Sequence, residues 1–181
     1  MTRQTALARP LSLIALGILL TLGLFTLWPT PTVQATTTWQ ITRLTDNSVA
    51  DVAQDLTEGH AFWTHYDGHD MELFMRDPLD GSHKQLTDND AHDNRAQFAG
   101  GRLAWESIPL SEITTGHASI MLLAPHGGTP IALTPADRPR ALTDVKPGRV
   151  CWQERPGGTA PQQAFFYDVG TGATTRITDA S

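Results

Sequence analysis

The chain has 181 residues, of which 40% are hydrophobic and 18% charged, and its formal net charge at pH 7 is −6. The negative charge excludes a general nucleic-acid-binding surface and electrostatic docking on anionic lipid, because both need clustered basic residues. Cys151 is the only cysteine, so no intrachain disulfide can form and packing must stabilise the fold.

The N-terminal segment is typical of a secretory signal. Arg3 and Arg9 precede an uncharged apolar run at residues 11–28, and a small-residue cleavage site follows. We therefore predict a signal peptide at residues 1–35 and an extracytoplasmic domain at residues 36–181. The alternative is an uncleaved signal anchor, because the run is just long enough to span a bilayer. Only in that case would the protein contact a membrane.

A Gly-x-x-x-Trp pentapeptide recurs along the rest of the chain and ends at Trp63, Trp105 and Trp152. Each tryptophan follows a Leu-Thr pair by the same number of residues, which is hard to obtain by chance. Periods of this length are typical of solenoids, propellers and arrays. The sequence therefore predicts three tandem repeats. They span residues 44–85, 86–132 and 133–176.

Each repeat is predicted to form four short strands, because runs rich in β-branched and aromatic residues alternate with Gly, Pro, Asp and Asn. An additional strand at residues 40–45 precedes the first repeat. The strands of the repeats are predicted at residues 51–56, 60–65, 71–76 and 83–87, then 95–98, 102–106, 118–123 and 130–134, then 141–145, 149–153, 164–167 and 174–178.

The repeats differ in length only between their second and third strands. Such insertions tend to collect on one face of a repeat protein, and that face often binds a ligand or partner. In an up-and-down sheet, this loop emerges at the same end as the connection between repeats. The candidate binding residues on this face are Asp46, Asn47, His65, Asp67, His69, Asp88, Asp90, His92, Asp93, Asn94, Glu112 and Arg155.

The oxygen-rich side chains of this face indicate two alternatives. They are typical of turns at Asp46, Asn47, Asp88, Asp90, Asp93 and Asn94, and no cofactor or metal is then expected. Hard cations such as calcium also favour these ligands, although the EF-hand order of residues is absent. His65 and His69 are four residues apart, but this stretch is not predicted to be helical, so the zinc-ligand geometry of a helix does not apply.

The recurring tryptophans are predicted to pack between repeats, because equivalent positions in the middle of a strand are typical of a core. Cys151 occupies the position of Phe62 and Ala104, which predicts a small core residue rather than a nucleophile. A catalytic cysteine would need an activating histidine and an electropositive setting.

Each repeat combines the Gly-x-x-x-Trp pentapeptide with a second recurring stretch, which in the first repeat consists of residues 72–77, residues 80–81 and the Gln-Leu-Thr-Asp run at residues 85–88. With the Gly-Arg-Leu-Ala-Trp form of the pentapeptide, this pattern resembles the TolB-type β-propeller repeat. The resemblance covers residues 41–179. It implies an all-β fold, a partial β-propeller of three four-stranded antiparallel blades after an N-terminal signal or anchor helix. The Ser-Pro-Asp-Gly turn that is common in this repeat class is absent.

The resemblance and the residues together favour an exported, non-enzymatic scaffold. No Gly-x-Ser-x-Gly, phosphate-loop or His-Glu-x-x-His motif marks a catalytic centre. The expected partner is an envelope or extracellular protein. Self-association is also expected, because propellers typically need four to eight blades. The alternatives are a carbohydrate-active propeller enzyme of lyase type and a fragment of a longer propeller.

Overall fold

The computed structural model describes residues 41–123, 127–157 and 159–178. The predicted signal or anchor segment lies outside the described residues. A compact unit begins at Arg43 and contains every strand described here. Within the described part of the chain, no helix is long and apolar enough to cross a membrane.

The described strands form three four-stranded antiparallel sheets, each built from consecutive strands. We call them blade 1 (β1–β4), blade 2 (β5–β8) and blade 3 (β9–β12). The all-β fold with three four-stranded blades is therefore confirmed. The strands are β1 Asp51–Thr57, β2 His60–Tyr66, β3 Met71–Arg76, β4 His83–Gln85, β5 Ala91–Ala99, β6 Arg102–Pro109, β7 Ser119–Leu123, β8 Ile131–Ala132, β9 Arg140–Lys146, β10 Arg149–Glu154, β11 Gln163–Asp168 and β12 Ala173–Arg176.

Tight turns fix the register between the first two strands of each blade. Glu58 and Gly59 join β1 to β2 with φ angles of 50° and 80°, and Gly100 and Gly101 join β5 to β6 with 60° and 73°. Two successive positive φ angles are the mark of the hairpin turn that matches strand twist, and glycine adopts them without strain. The blades therefore vary in length at their other end.

Blades 1 and 2 pack face to face through an apolar cluster that we call junction 1–2. Phe62 and Leu73 of blade 1 meet Leu103 and Trp105 of blade 2, and all four are at most 3% exposed. Since neighbouring residues of a strand point to opposite faces, Trp105 faces blade 1 while Ala104 faces away from it.

Blades 2 and 3 pack in the same way at junction 2–3. Ala104, Ile120 and Leu122 of blade 2 meet Val150 and Trp152 of blade 3. Trp152 therefore faces blade 2, just as Trp105 faces blade 1. The predicted packing of these two tryptophans between repeats is confirmed.

Trp63 is the equivalent residue in blade 1, and it lies on the face opposite junction 1–2. Its ring stacks on Phe74 at a centroid distance of 5.9 Å and meets the edge of His83 at 5.2 Å. We call this surface, with His65 beside Phe74, the Trp63 face. Among the described residues no other blade packs on it, so for Trp63 the predicted packing between repeats is wrong, although the residue is buried.

Two further expectations need correction. No strand forms at residues 41–45, the described part of the strand predicted at residues 40–45, because β4 already occupies the outer edge of blade 1. Cys151 is only half-buried and lies in neither apolar cluster. The equivalent residues Phe62 and Ala104 each face the following blade, whereas Cys151 lies on the outer face of blade 3 beside Phe166.

Candidate functional site

One end of the blades carries both the long loops and the connections between blades. Leu110, in the β6–β7 loop, donates its backbone N–H to the carbonyl of Asp90 in the first connection, at 3.1 Å. Ala118, at the end of the same loop, donates to the carbonyl of Arg138 in the second connection, at 3.2 Å. The long loops and the connections therefore share one surface, as the insertion pattern predicts. We call it the loop face.

The predicted binding residues separate into groups on this face. One group gathers near junction 1–2, a second lines a pocket on the Trp63 face, and three residues join neither group. The first group contains Asp67, His69, Asp88, Asp90, His92 and Asp93, the second contains Asp46, Asn47 and His65, and the remaining residues are Asn94, Glu112 and Arg155.

Three carboxylates converge at the loop-face end of junction 1–2. One oxygen from each of Asp67, Glu72 and Asp88 lies within 4.8 Å of the other two. Asp67 and Asp88 are exposed, and Glu72 is fully buried. The arrangement presents a negative cluster that is open to solvent on one side and enclosed by protein on the other.

Backbone N–H groups hold two of the three carboxylates. Backbone N–H groups of Asp70 and His69 donate to Asp67 Oδ1 and hold the pKa of Asp67 below its ordinary value. Glu72 Oε1 accepts the backbone N–H of Asn89 at 2.8 Å. Its other oxygen, Oε2, has no hydrogen-bond partner in the described part of the chain. Burial raises the pKa of Glu72 to about 7.

A fourth carboxyl, that of Asp70, lies beside Glu72. Asp70 is 0% exposed, and neither of its carboxyl oxygens has a hydrogen-bond partner among the described residues. Its position next to the Glu72 carboxyl also acts to raise the pKa of Glu72. Two buried carboxyls in contact repel each other unless a proton or a cation lies between them.

Asp93 continues the polar cluster into junction 1–2. Asp93 accepts hydrogen bonds from the Trp105 indole N–H at 3.0 Å and from the Asn89 amide at 2.8 Å. Burial raises the pKa of Asp93, although these hydrogen bonds act in the opposite direction. Asp93 therefore fixes Trp105 in place. Asn94, the next residue, pairs with Glu106 and belongs to the opposite face of blade 2; its Oδ1 is buried and has no partner in the described part of the chain.

The neighbouring histidines make separate contacts. His69 Nε2 lies 3.1 Å from Asp90 Oδ1 in an exposed pair. His92 Nδ1 accepts the backbone N–H of Met71 at 3.0 Å, so that nitrogen carries no proton. His65 is held elsewhere, which separates it from His69.

The second group lines a pocket of about 590 Å³ on the Trp63 face. Trp63 and Phe74 supply its apolar wall, and His65 and His83 lie beside them. Residues 43–47 form the remaining side. The pocket combines an aromatic surface with a polar rim, which is the usual character of a binding pocket.

A short hydrogen-bonded network orders the polar rim. His65 Nδ1 lies 3.0 Å from Asp51 Oδ1, and Asn47 Nδ2 donates to Asp51 Oδ2 at 3.0 Å. Burial acts to raise the pKa of Asp51, but hydrogen bonds from Thr45, His65 and Asn47 outweigh it and lower the pKa. Arg43 pairs with Asp46 at 2.8 Å. The rim is therefore preorganised by its own contacts.

Glu112 and Arg155 make only local contacts. Glu112 accepts the Thr115 hydroxyl at 2.6 Å and lies 3.1 Å from His117 Nδ1. Arg155 has an exposed side chain and donates its backbone N–H to Pro139. Neither residue reaches the acidic cluster or the pocket lining.

The sequence reasoning missed several residues of both groups. Asp70 and Glu72 were not selected, although Glu72 had a signal: it is the only acidic residue at its repeat position. The register with the second strand makes Glu72 equivalent to Ser119 and Gln163. The missed polar residues of the pocket lining include Arg43 and His83, and Asp51, which orders the polar rim, was also missed.

No protein-family model matches the sequence, and no curated protein matches it. Solved structures share the fold. Putative TolB from Agrobacterium tumefaciens superposes with a TM-score of 0.52 at 13% identity, over 75% of this chain and 51% of that chain. TolB from Acinetobacter baumannii gives 0.52 at 17% identity, over 75% and 34%. A prolyl endopeptidase gives 0.56 at 16% identity, over 74% and 20%.

These likenesses decide the architecture. The chain is a partial β-propeller. At these identities the likeness shows the fold alone. The chain spans about half or less of the length of these three proteins.

Proposed function

We propose that the partial propeller is an exported, non-enzymatic scaffold that binds an envelope or extracellular protein through the pocket on the Trp63 face. The observation that carries the proposal is the pocket itself, in which Trp63 and Phe74 lie beside an ordered polar rim. Buried aromatic residues surrounded by polar groups are typical of the energetic centre of protein interfaces.

The internal junctions support this use of the face. At junctions 1–2 and 2–3 the equivalent residues Trp105 and Trp152 pack against apolar side chains of the preceding blade. The Trp63 face is thus the same kind of packing surface as those two. A partner that presents an apolar side chain would pack against Trp63 as a blade does. A second copy of this chain, through the outer face of blade 3, is the alternative partner.

The rim network favours binding over covalent catalysis. In a nucleophile–base–acid arrangement the hydroxyl contacts the histidine, and the histidine contacts the acid. Here the Thr45 side chain bonds Asp51 rather than His65. The proposed location outside the cytoplasm rests on the signal-like sequence at residues 1–35.

Site-specific photocrosslinking tests the proposal. The full chain would carry a photoreactive residue at His83, on the pocket rim, and in a control at Ile131, which is 51% exposed on blade 2. We expect a discrete crosslinked protein from the extracytoplasmic fraction with the His83 probe only. Phe74→Ala should weaken it, because Phe74 lines the pocket.

The crosslinking products separate the alternatives. A product of twice the mass of the chain would identify self-association rather than a different partner. Identical products from both positions, or none from His83, would contradict binding at this face.

A carbohydrate-active enzyme is the second candidate, and one observation favours it. The pocket brings Arg43, His65 and His83 beside two aromatic rings, on which a sugar could stack. An acidic polysaccharide would then be converted to unsaturated products, which ultraviolet absorbance detects. Turnover by the full chain that is lost in His65→Ala would replace the scaffold proposal.

A further inference from the structure

The acidic cluster at junction 1–2 has the ligand geometry of a hard divalent cation. Calcium binds oxygen ligands at about 2.3–2.6 Å, so oxygens on opposite sides of one ion are about 5 Å apart. The oxygens of Asp67, Glu72 and Asp88 lie within 4.8 Å of one another. A single ion can therefore contact all three carboxylates.

Unsatisfied buried groups give an independent indication of a ligand. Glu72 and Asp70 are both 0% exposed, and Glu72 Oε2 and both oxygens of Asp70 have no hydrogen-bond partner among the described residues. Buried charges in proteins are paired or coordinate metals, because an uncompensated one is strongly unfavourable. These oxygens need a positive charge or a proton.

The corresponding place in junction 2–3 is occupied by a protein cation. The strand registers pair Asp93 with Ser107 in blade 2 and Arg140 with Glu154 in blade 3, so Arg140 is equivalent to Asp93. The Arg140 side chain is 4% exposed and bonds Glu154 at 3.0 Å. In the part of the chain that the structure describes, no arginine or lysine forms an ion pair with Asp93, with Glu72, or with the neighbouring carboxylates of Asp67, Asp70 and Asp88.

We propose that Asp67, Glu72 and Asp88 bind a calcium ion at junction 1–2. Glu72 Oε2 is the enclosed ligand, and Asp67 and Asp88 approach from the solvent side, where water completes the coordination. The buried Asp70 carboxyl adds negative charge beside Glu72. Calcium fits better than magnesium, because magnesium demands near-ideal octahedral geometry, whereas calcium accepts irregular sets of carboxylates.

The site has a structural consequence within the blades. Glu72 belongs to β3 of blade 1, and Asp88 belongs to the connection that leads into blade 2. An ion held by both would tie the two blades together, as Arg140 ties the connection before β9 to blade 3. The proposal does not depend on the scaffold function.

Calcium titration of the full chain tests the site. After treatment with a chelator, calcium should raise the Tm by about 5–10 °C when it is 100-fold above its Kd, because only the folded state binds. Calorimetry should give one site per chain. Magnesium at the same concentration should produce a smaller shift.

Matched variants locate the ion. Asp88→Asn removes an exposed ligand without disturbing the core, and Glu72→Gln keeps an acceptor for the Asn89 N–H. Both variants should bind calcium with an apparent affinity at least tenfold weaker, and their Tm should therefore rise less at the same calcium concentration. Asp90→Asn, at a nearby carboxylate that is 91% exposed, should leave the shift unchanged.

Three outcomes would overturn the proposal. The first is no Tm shift and no heat at millimolar calcium. The second is binding that Asp88→Asn and Glu72→Gln leave unchanged, because the ion then lies elsewhere. The third is a Tm that responds to pH through Glu72 but not to calcium, which would mean that Asp70 and Glu72 share a proton instead.

Discussion

The two junctions between blades share one apolar design but differ in their polar ends. Each buries a tryptophan of the later blade against apolar side chains of the earlier one. Junction 2–3 then places Arg140 among carboxylates, whereas junction 1–2 places Asp93 at the equivalent position beside further acids. The repeated apolar residues therefore determine how neighbouring blades pack, while the residue at a single repeat position determines the charge at the polar end of each junction.

The substitution also changes the tryptophans. Trp105 donates its indole N–H to Asp93 at 3.0 Å. The indole N–H of Trp152 is buried without a partner in the described part of the chain, because the equivalent position holds Arg140, which is a donor itself. The residue at this one repeat position thus determines both the charge of a junction and whether the indole N–H of its tryptophan has a hydrogen-bond acceptor.

The largest expected effect is at Arg140. Arg140→Met leaves Glu154 buried without its closest cation, and removal of one member of a buried pair costs about 3–5 kcal/mol. Urea denaturation should show this loss in the free energy of unfolding. Arg138→Ala is the control: Arg138 is 37% exposed, so solvent screens its ion pairs and the variant should lose much less stability. Equal losses in the two variants would contradict a special role for Arg140.

The tryptophans offer a matched comparison. Trp105→Phe removes the hydrogen bond to the buried Asp93, whereas Trp152→Phe removes a donor that has no partner. Both variants lose similar volume, so Trp105→Phe should cost about 1–3 kcal/mol more than Trp152→Phe. Denaturant melts of both proteins measure the difference. A larger loss in Trp152→Phe would show that the Asp93 contact does not stabilise junction 1–2.

Hairpin tips give the next effect. Gly100 has a φ of 60°, and a Cβ there would lie 2.9 Å from Pro147 Cα in blade 3. Gly116 has a φ of 67° with open space around it. Gly100→Ala should therefore be less stable than Gly116→Ala by about 1–3 kcal/mol, the usual cost of overpacking. If thermal melts place both variants at the same Tm, blades 2 and 3 do not meet at these tips.

The smallest effect is a change in pH dependence at junction 2–3. Glu106 accepts the backbone N–H of Leu142 at 2.7 Å, and burial raises the pKa of Glu106. The folded state thus binds this proton more tightly than the unfolded state. Stability from Glu106 is present below its ordinary pKa of about 4.3 and is lost as the pH rises through the raised value.

Glu106→Gln removes that dependence and keeps an acceptor for Leu142. The variant should lose less stability than the unsubstituted protein as the pH rises from about 4 through this window. Urea melts at a series of pH values measure it. Parallel curves for the two proteins would mean that Glu106 ionises in the folded state as readily as in the unfolded chain.

Much of the fold was predictable, because the landmarks repeat along the chain. The spacing of the tryptophans sets the strands, and the length differences locate the loops. The outer segment at residues 40–45 was mispredicted, since its sequence resembles a closing strand but an edge partner depends on the tertiary structure. The position of Cys151 was mispredicted for a related reason. Phe62 and Ala104 are buried because the following blade packs on them, and a shared repeat position alone does not show whether such a blade covers Cys151.

The candidate sites were only partly predictable. The sequence selected Asp67 and Asp88 as loop residues, but Glu72 belongs to a strand, and only the packing of two blades brings the three together. The pocket likewise depends on how residues 43–47 lie beside Trp63. Composition and spacing do not determine such contacts between separate segments.

The two ends of the blades differ in the freedom they leave for sequence change. At the hairpin end, Glu58 of blade 1 accepts the N–H of Gly100 in blade 2, and Gly100 lies against Pro147 of blade 3. Each turn therefore helps to position the corresponding turn of the next blade. An added residue there would displace every later blade. At the loop face, the ends of the β6–β7 loop are anchored by hydrogen bonds, while Gly116 between them has open space. Foreign peptides grafted at that glycine would be displayed on a framework that keeps its shape.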